Sequence, residues 1–563
     1  MLNKKQNLLV LSVMAAALSG CGGGGGGGGG EGSTSSFTQK SQISGDLNCQ
    51  TSACSMPAGA ATDPAGKVYL LQNASNQEAT VTIDGPLTNS WDAVMTRISS
   101  DTAGNGRIGG GARGGDGAAD AILAQKMQVV YDNIATYAGI SQRAQARMKL
   151  EKRVTASARY ALNDSRAWYD SIGSRTLNTT MKASAALPSG GTVYVWAQDD
   201  AAAVTAEQAN FLAERFSNSV YPIESAVISE PWGSVASTWR AISLDSGTKD
   251  VHLVLAQLNQ PANAFKGLMG YVLPTNALLK SVALDPACAT EDCSPFANSN
   301  EALVTFLNVD TLVAKDDGQL WSQNGRGPAL SLSTLGHEYQ HLLYSYNKLF
   351  RQNITGATTW ENELAAQTMG YLVAADTYHG GRSNGPDAHP DLGAGSDFTR
   401  FLASPACDLK RWPALSSDAS GVSCYPKALA TGMLMLHQYG AGVMKPWVTG
   451  ANVGEKALND GLASVGGGNY GSLMQRLYTS LLLADFPTWA AGYGFPAKQV
   501  TLPASPYLIG GKAISLPEVR VGKQEVQLTM DSTQEAYRVT LIPMGGKVTI
   551  AMPANSRLSL VKR

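Results

Sequence analysis

An excess of charge of either sign is missing from this chain. Its 43 basic side chains are cancelled by 44 acidic ones to a formal net charge of −1 over 563 residues, with no extended basic run and no acidic tail. Electrostatics therefore do not point to nucleic acid as a partner, because a phosphate backbone is bound through clustered Lys and Arg. Long apolar runs are also lacking. The apolar stretch from Leu8 to Leu18 is about half the ~20 residues that a spanning helix needs. Histidine and cysteine are scarce, 6 and 7 residues respectively, and no C-x-x-C pair occurs, which removes a common thiolate metal motif. What is present, 44% hydrophobic and 15% charged residues, is an ordinary balance that can bury real cores in several domains.

Lys4 and Lys5 precede the early apolar stretch, and Leu18-Ser19-Gly20-Cys21 closes it. This pattern resembles the signal of a bacterial lipoprotein. The resemblance implies cleavage before Cys21 and lipidation of that cysteine, so that several acyl chains anchor the protein to a membrane. Gly22 to Gly30 and the Ser/Thr residues after them read as a flexible tether, with a reach on the order of 20 Å. Glycine rather than aspartate follows Cys21, which favours an outer-membrane location where two membranes exist. The other cysteines fall as neighbours, Cys49 with Cys54, Cys288 with Cys293 and Cys407 with Cys424. In an oxidising compartment this grouping predicts three local disulfides.

The expected organisation is a signal peptide over 1–20, a tether over 21–45, an N-terminal domain over 46–190, a central domain over 191–500 and a small β module over 501–563. VYLLQ and ATVTI, between Val68 and Ile83, alternate as strands do. Gly104 to Gly117 is a glycine-rich break, and Ala118 to about Tyr169 has apolar residues at helical spacing, which predicts a helical pair or a long hairpin. That region could serve as a propeptide, a cap or a structural unit. TVYVWAQ, VHLVLAQL, GLMGYVL and ALVTFLNV then read as strands, with a helix over Thr205 to Asn218, and helices follow from Ser331. EVQLTM, AYRVTLI, KVTIAM and RLSLVK read as a separate antiparallel module. The fold class expected is α+β.

His337-Glu338-Tyr339-Gln340-His341 places two histidines four apart. On a helix starting near Ser331 or Ser333 they lie about 40° apart, one turn along, and can meet one ion. Glu338 between them can take a proton from water at that ion, which is the mechanics of H-E-x-x-H. A working site needs a third protein ligand. Glu361 and Glu363, in TWENELAAQ, are about 200° apart on a second helix, so only one of them can face the ion.

Trp360-Glu361-Asn362-Glu363, together with Thr334-Leu335-Gly336 before the histidine motif, resembles the hyicolysin-like neutral metalloproteases, which are zinc-binding gluzincins. The resemblance covers about Thr192 to Phe486. It implies a zincin-like domain in which a mixed sheet is followed by helices, with Zn2+ held by His337, His341 and Glu363 and Glu338 as general base. Glu361 is the fallback ligand on spacing. Leu364 stands where the family often has glycine, and Gln367 stands where thermolysin-like relatives carry an aspartate that orients a ligand histidine. A stabiliser for the anionic intermediate is expected at Tyr425, a position that related gluzincins fill with a catalytic tyrosine; Tyr378, His379 and His389 compete for the role.

The activity expected is hydrolysis of protein or peptide substrates by a zinc endopeptidase displayed on the cell envelope. An aminopeptidase is disfavoured, since Gly267-Leu268-Met269-Gly270-Tyr271 lacks the glutamate that would hold a free amine. The alternative from another class is a non-catalytic surface lipoprotein acting in binding or adhesion.

Overall fold

The computed structural model describes residues 43–50, 53–55, 68–84, 91–99, 111–113, 125–126, 129–130, 133–148, 159–258, 268–290, 292–316, 319–356, 358–378, 397–403, 405, 407–412, 424–520, 526–530, 532, 535–542 and 546–562. Cys21, the signal peptide and the glycine tether lie outside them, as do His379 and His389. Strands and helices mix in an α+β fold. No described helix is long and apolar enough to cross a membrane.

Two sheets pack face to face around one core. The first has the order β1 (Ile43–Gly45), β4 (Val68–Asn73), β18 (Ser556–Lys562), β6 (Trp91–Arg97) and β16 (Ala536–Arg538). The second runs β17 (Lys547–Met552), β5 (Ala79–Asp84), β3 (Ala53–Ser55) and β2 (Asn48–Gln50). Every second side chain of β4 and of β17 is buried, as the two-residue period of a strand dictates. Tyr69, Leu71, Ile83, Met95, Ile550 and Leu558 meet between the sheets.

A larger core surrounds a seven-stranded sheet. Its order is β7 (Gly111–Arg113), β12 (Gly270–Val272), β13 (Leu303–Asn308), β11 (Val251–Ala256), β10 (Thr192–Gln198), β9 (Arg175–Ala186) and β8 (Ser165–Asp170). β10, β11 and β13 run parallel, and the outer pairs are antiparallel. β11 and β13 are buried along their whole length, which is why they read as continuous apolar runs. A hairpin, β14 (Lys498–Leu502) with β15 (Lys512–Leu516), completes the strands.

Eight helices matter below: α1 (Ile134–Met148), α2 (Ala206–Arg215), α3 (Tyr221–Val227), α4 (Arg326–Ser345), α5 (Thr359–Tyr378), α6 (Tyr425–Tyr439), α7 (Gly454–Ser464) and α8 (Tyr470–Leu482). Thr205 and Gln208 form a capping box at the start of α2. α4 packs on β7, β12 and β13, and α5 lies between α4 and α6. α8 joins the two cores: Thr479 Oγ1 donates to Ser559 Oγ at 2.7 Å, on the face of β18 turned away from the sandwich.

All three expected disulfides form, Cys49–Cys54, Cys288–Cys293 and Cys407–Cys424. Other expectations need correction. α4 starts at Arg326 after Gly325, five residues before Ser331, and Ser331 and Ser333 are buried inside it. Pro328 is tolerated because the first turn leaves its N–H positions without intrahelical acceptors. The helical reading up to Tyr169 holds for α1 but fails at Ser165–Asp170, which is β8. A boundary at residue 190 falls between paired strands β9 and β10. The strands after residue 535 do not stand alone: β16, β17 and β18 pair with β6, β5 and β4. Residues 526–530 of EVQLTM form no strand.

Candidate metal centre

The site lies where α4 and α5 approach, and glycine permits the approach. A methyl group on Gly370 of α5 would fall 2.7 Å from the Ser333 carbonyl oxygen, and one on Gly336 of α4 would fall 3.1 Å from Val373. On the other side of α5, a methyl on Gly432 of α6 would fall 3.0 Å from Thr368 Cα. Three helices are thus packed backbone to backbone, and polar side chains from α4 and α5 project into the shared space.

His337 and His341, one turn apart on α4, bring their Nε2 atoms to 3.0 Å. Glu363 on α5 reaches both: Oε2 lies 3.2 Å from His337 Nε2, and Oε1 lies 3.5 Å from His341 Nε2. All three side chains are fully buried, and their ligating atoms lie within 4.8 Å of one another. Burial pushes the Glu363 carboxyl up, but the adjacent His341 and His337 outweigh it and hold it below the usual carboxylate range. A carboxylate and two imidazoles buried together are a donor set that could hold a metal ion.

Glu361 faces elsewhere, as the 200° separation requires. Its carboxylate accepts from the Trp447 indole at 3.3 Å and from the Gly454 N–H at the start of α7. Burial lifts it to about 7 against the opposing charge of Lys348. Lys348 itself donates to the carbonyls of Trp447, Gly450 and Asn452 at 3.0, 2.8 and 2.6 Å. Glu361 therefore ties α5 to α7, and the fallback ligand assignment is set aside.

The remaining site residues separate by position. Glu338 is fully buried on the turn that carries both histidines, with its Cγ 3.0 Å from where a side chain on Gly270 of β12 would begin. Tyr425 opens α6 next to the Cys407–Cys424 link, and its ring centroid is 6.3 Å from that of His337. Tyr378 instead donates to the Gln323 carbonyl at 3.1 Å. Gln367 is buried one turn beyond Glu363 on α5. His437 sits between the Pro496 carbonyl, 2.7 Å from Nδ1, and the Tyr371 hydroxyl, 2.9 Å from Nε2. Because a carbonyl cannot donate, Nδ1 carries the proton and Nε2 accepts from Tyr371. His252 accepts from the Trp196 indole at 3.1 Å and stacks on Tyr194, and burial holds it well below the usual histidine range. Both are core histidines.

Sequence reasoning missed Glu224 of α3. It is fully buried, its Oε1 would lie 3.4 Å from a methyl on Gly336, and burial lifts its pKa well above the usual carboxylate range. One acid in a short helix that is buried almost throughout carries no signal that could have singled it out. No family model matches the chain, and no curated protein matches it.

Proposed function

We propose that this protein is a zinc endopeptidase held at the bacterial cell envelope through a lipid on Cys21. The observation that carries the reading is the convergence of the buried His337, His341 and Glu363, with Glu338 on the same turn of α4. Zinc in a tetrahedral site takes nitrogen and carboxylate ligands at about 2.0–2.2 Å, which puts neighbouring ligand atoms about 3.3–3.6 Å apart. The two Nε2 atoms lie 3.0 Å apart, and each has one of the two Glu363 oxygens beside it, Oε2 at 3.2 Å from His337 and Oε1 at 3.5 Å from His341, while one atom from each of the three residues falls within 4.8 Å of the others.

A bound zinc ion supplies Lewis acidity toward a scissile carbonyl and an attacking water. Glu338 accepts the proton of that water and passes it to the leaving amine. The Tyr425 hydroxyl donates to the oxygen that gains charge as the carbonyl becomes tetrahedral. Export of the chain is supported by the three disulfides and by the sequence ahead of Cys21.

The deciding experiment measures bound zinc and casein cleavage together. Glu338→Gln should keep zinc and lose turnover, since only the proton acceptor is removed. Casein cleavage by that variant at the wild-type rate would sink the catalytic assignment. Tyr425→Phe should keep zinc and slow turnover about 100-fold. Cys21→Ser should leave the membrane fraction, and a variant still sedimenting after a high-salt wash would rule out the lipid anchor.

A further inference from the structure

The outermost strand of the large sheet comes from far away in sequence. β7, Gly111-Ala112-Arg113, pairs antiparallel with β12 in the register Gly270 with Arg113, Tyr271 with Ala112 and Val272 with Gly111. It belongs to the glycine-rich stretch between Gly104 and Gly117, whereas the other partner of β12 is β13, also antiparallel. Without β7, β12 would be the sheet edge and would present a row of main-chain donors and acceptors, the template to which an extended peptide adds as a strand.

That edge borders the metal site. Gly270 sits so close over α4 that a side chain there would meet Thr334 and Glu338 at 2.9 and 3.0 Å. Arg113 is the residue paired with Gly270, so the β7 backbone runs one strand spacing, about 4.8 Å, from the strand that overlies Glu338. β7 also packs directly against α4. A three-residue strand that opens on glycine is a weak occupant, because few main-chain bonds can hold it and glycine loses the most entropy on being ordered.

We propose that β7 is an intramolecular stand-in for an extended peptide: Gly111–Arg113 holds the β12 edge beside Glu338, and a peptide backbone binds there by displacing it. Access of a peptide to that edge is thus limited by the chain's own strand. The catalytic side of this inference rests on the peptidase reading above; the strand exchange does not.

The test uses the full chain with Glu338→Gln, so that nothing is cut, and a fluorescein-labelled synthetic peptide of residues 104–117 followed by anisotropy. In a strand, one of any two consecutive residues directs its N–H to the neighbour, so Gly111→Pro with Ala112→Pro removes that donor whichever it is. The doubly substituted chain should bind the peptide at least about 10-fold more tightly. Gly111→Val, which favours the strand, should shift binding several-fold the other way and decides the matter if the proline chain does not fold. Unchanged binding in a folded proline variant, or unchanged or tighter binding in Gly111→Val, overturns the proposal. Casein cleavage by the same variants with Glu338 intact is read separately. If the binding shifts appear but no variant cleaves, the peptidase reading falls and the strand exchange stands.

Discussion

The sandwich core and the metal-site core bury side chains by opposite rules. Between the two sheets of the sandwich, alternate residues of β4, β5, β17 and β18 are apolar and interlock, and each strand's outward residues are mostly polar or half-buried. On α4 and α5, nearly every residue is buried, and His337, Glu338, Gln340, His341, Glu361, Glu363, Gln367 and Thr368 lie among them. Burying that many polar groups costs free energy unless they find partners or a ligand. The sandwich is a stability device, and the helix pair gives up stability to hold a donor set in place. A site that breaks the local rules of packing is where function is expected.

Substitutions can separate the two rules. The largest effect is expected at the ligands: His337→Ala, His341→Ala or Glu363→Ala should each weaken zinc binding by more than about 100-fold, read by chelator competition, while Glu361→Ala retains the metal. Loss of zinc from Glu361→Ala with retention in Glu363→Ala would reverse the ligand assignment. In the sandwich, Leu558→Ala should cost about 2–5 kcal/mol in urea unfolding and leave zinc content unchanged; a zinc loss of comparable size would show that the cores are not separable in this way. Gly370→Ala should cost about 1–3 kcal/mol and also weaken zinc binding, because the new methyl has to push α5 away from the Ser333 carbonyl. Full zinc affinity in that variant would mean that close helix approach does not set the site.

The smallest effect concerns pH. Burial raises the Glu535 carboxyl to about 7, against the opposing charge of Lys427 to which it is paired. Its folded value lies above the ordinary 4.5, so the folded chain holds the extra proton between these limits. The stabilisation it contributes is complete below about 4.5 and is lost as pH rises through about 7. Glu535→Gln should therefore flatten the fall in thermal stability across that window, and an unaltered pH slope would assign the fall to other groups.

The legible parts of this fold were those with local causes. β10 spans the TVYVWAQ that was read as a strand, and the Thr205 cap fixed the start of α2. The histidine spacing brought together two of the three side chains that could hold a metal because a helix turn is a local geometry. β9 was missed because its buried face carries Thr179 and Ala183 alongside Leu177 and Met181, so apolar alternation is diluted. Glu361 and Glu363 could not be separated by spacing alone. Their roles depend on α7 and Trp447, about ninety residues further on, which claim Glu361 and leave Glu363 to the histidines. Pairing of β17 with β5 and of β18 with β4 joins residues far apart in the sequence, and no short-range pattern encodes such a partnership.

β18 occupies the middle of its sheet, between β4 and β6. In a chain made from the amino end, β4 and β6 emerge early with a vacant slot between them that only residues 556–562 can fill. Each would meanwhile offer a bare main-chain edge to any neighbour, a hazard for a slowly emerging β structure. The sandwich closes only after residues 165–484, which carry the large sheet and the metal-site helices, have been made. Closure of the smaller core therefore acts as a timing mark: it records that synthesis has passed through both helices of the candidate metal centre, and a chain stopped before residue 556 cannot give that signal.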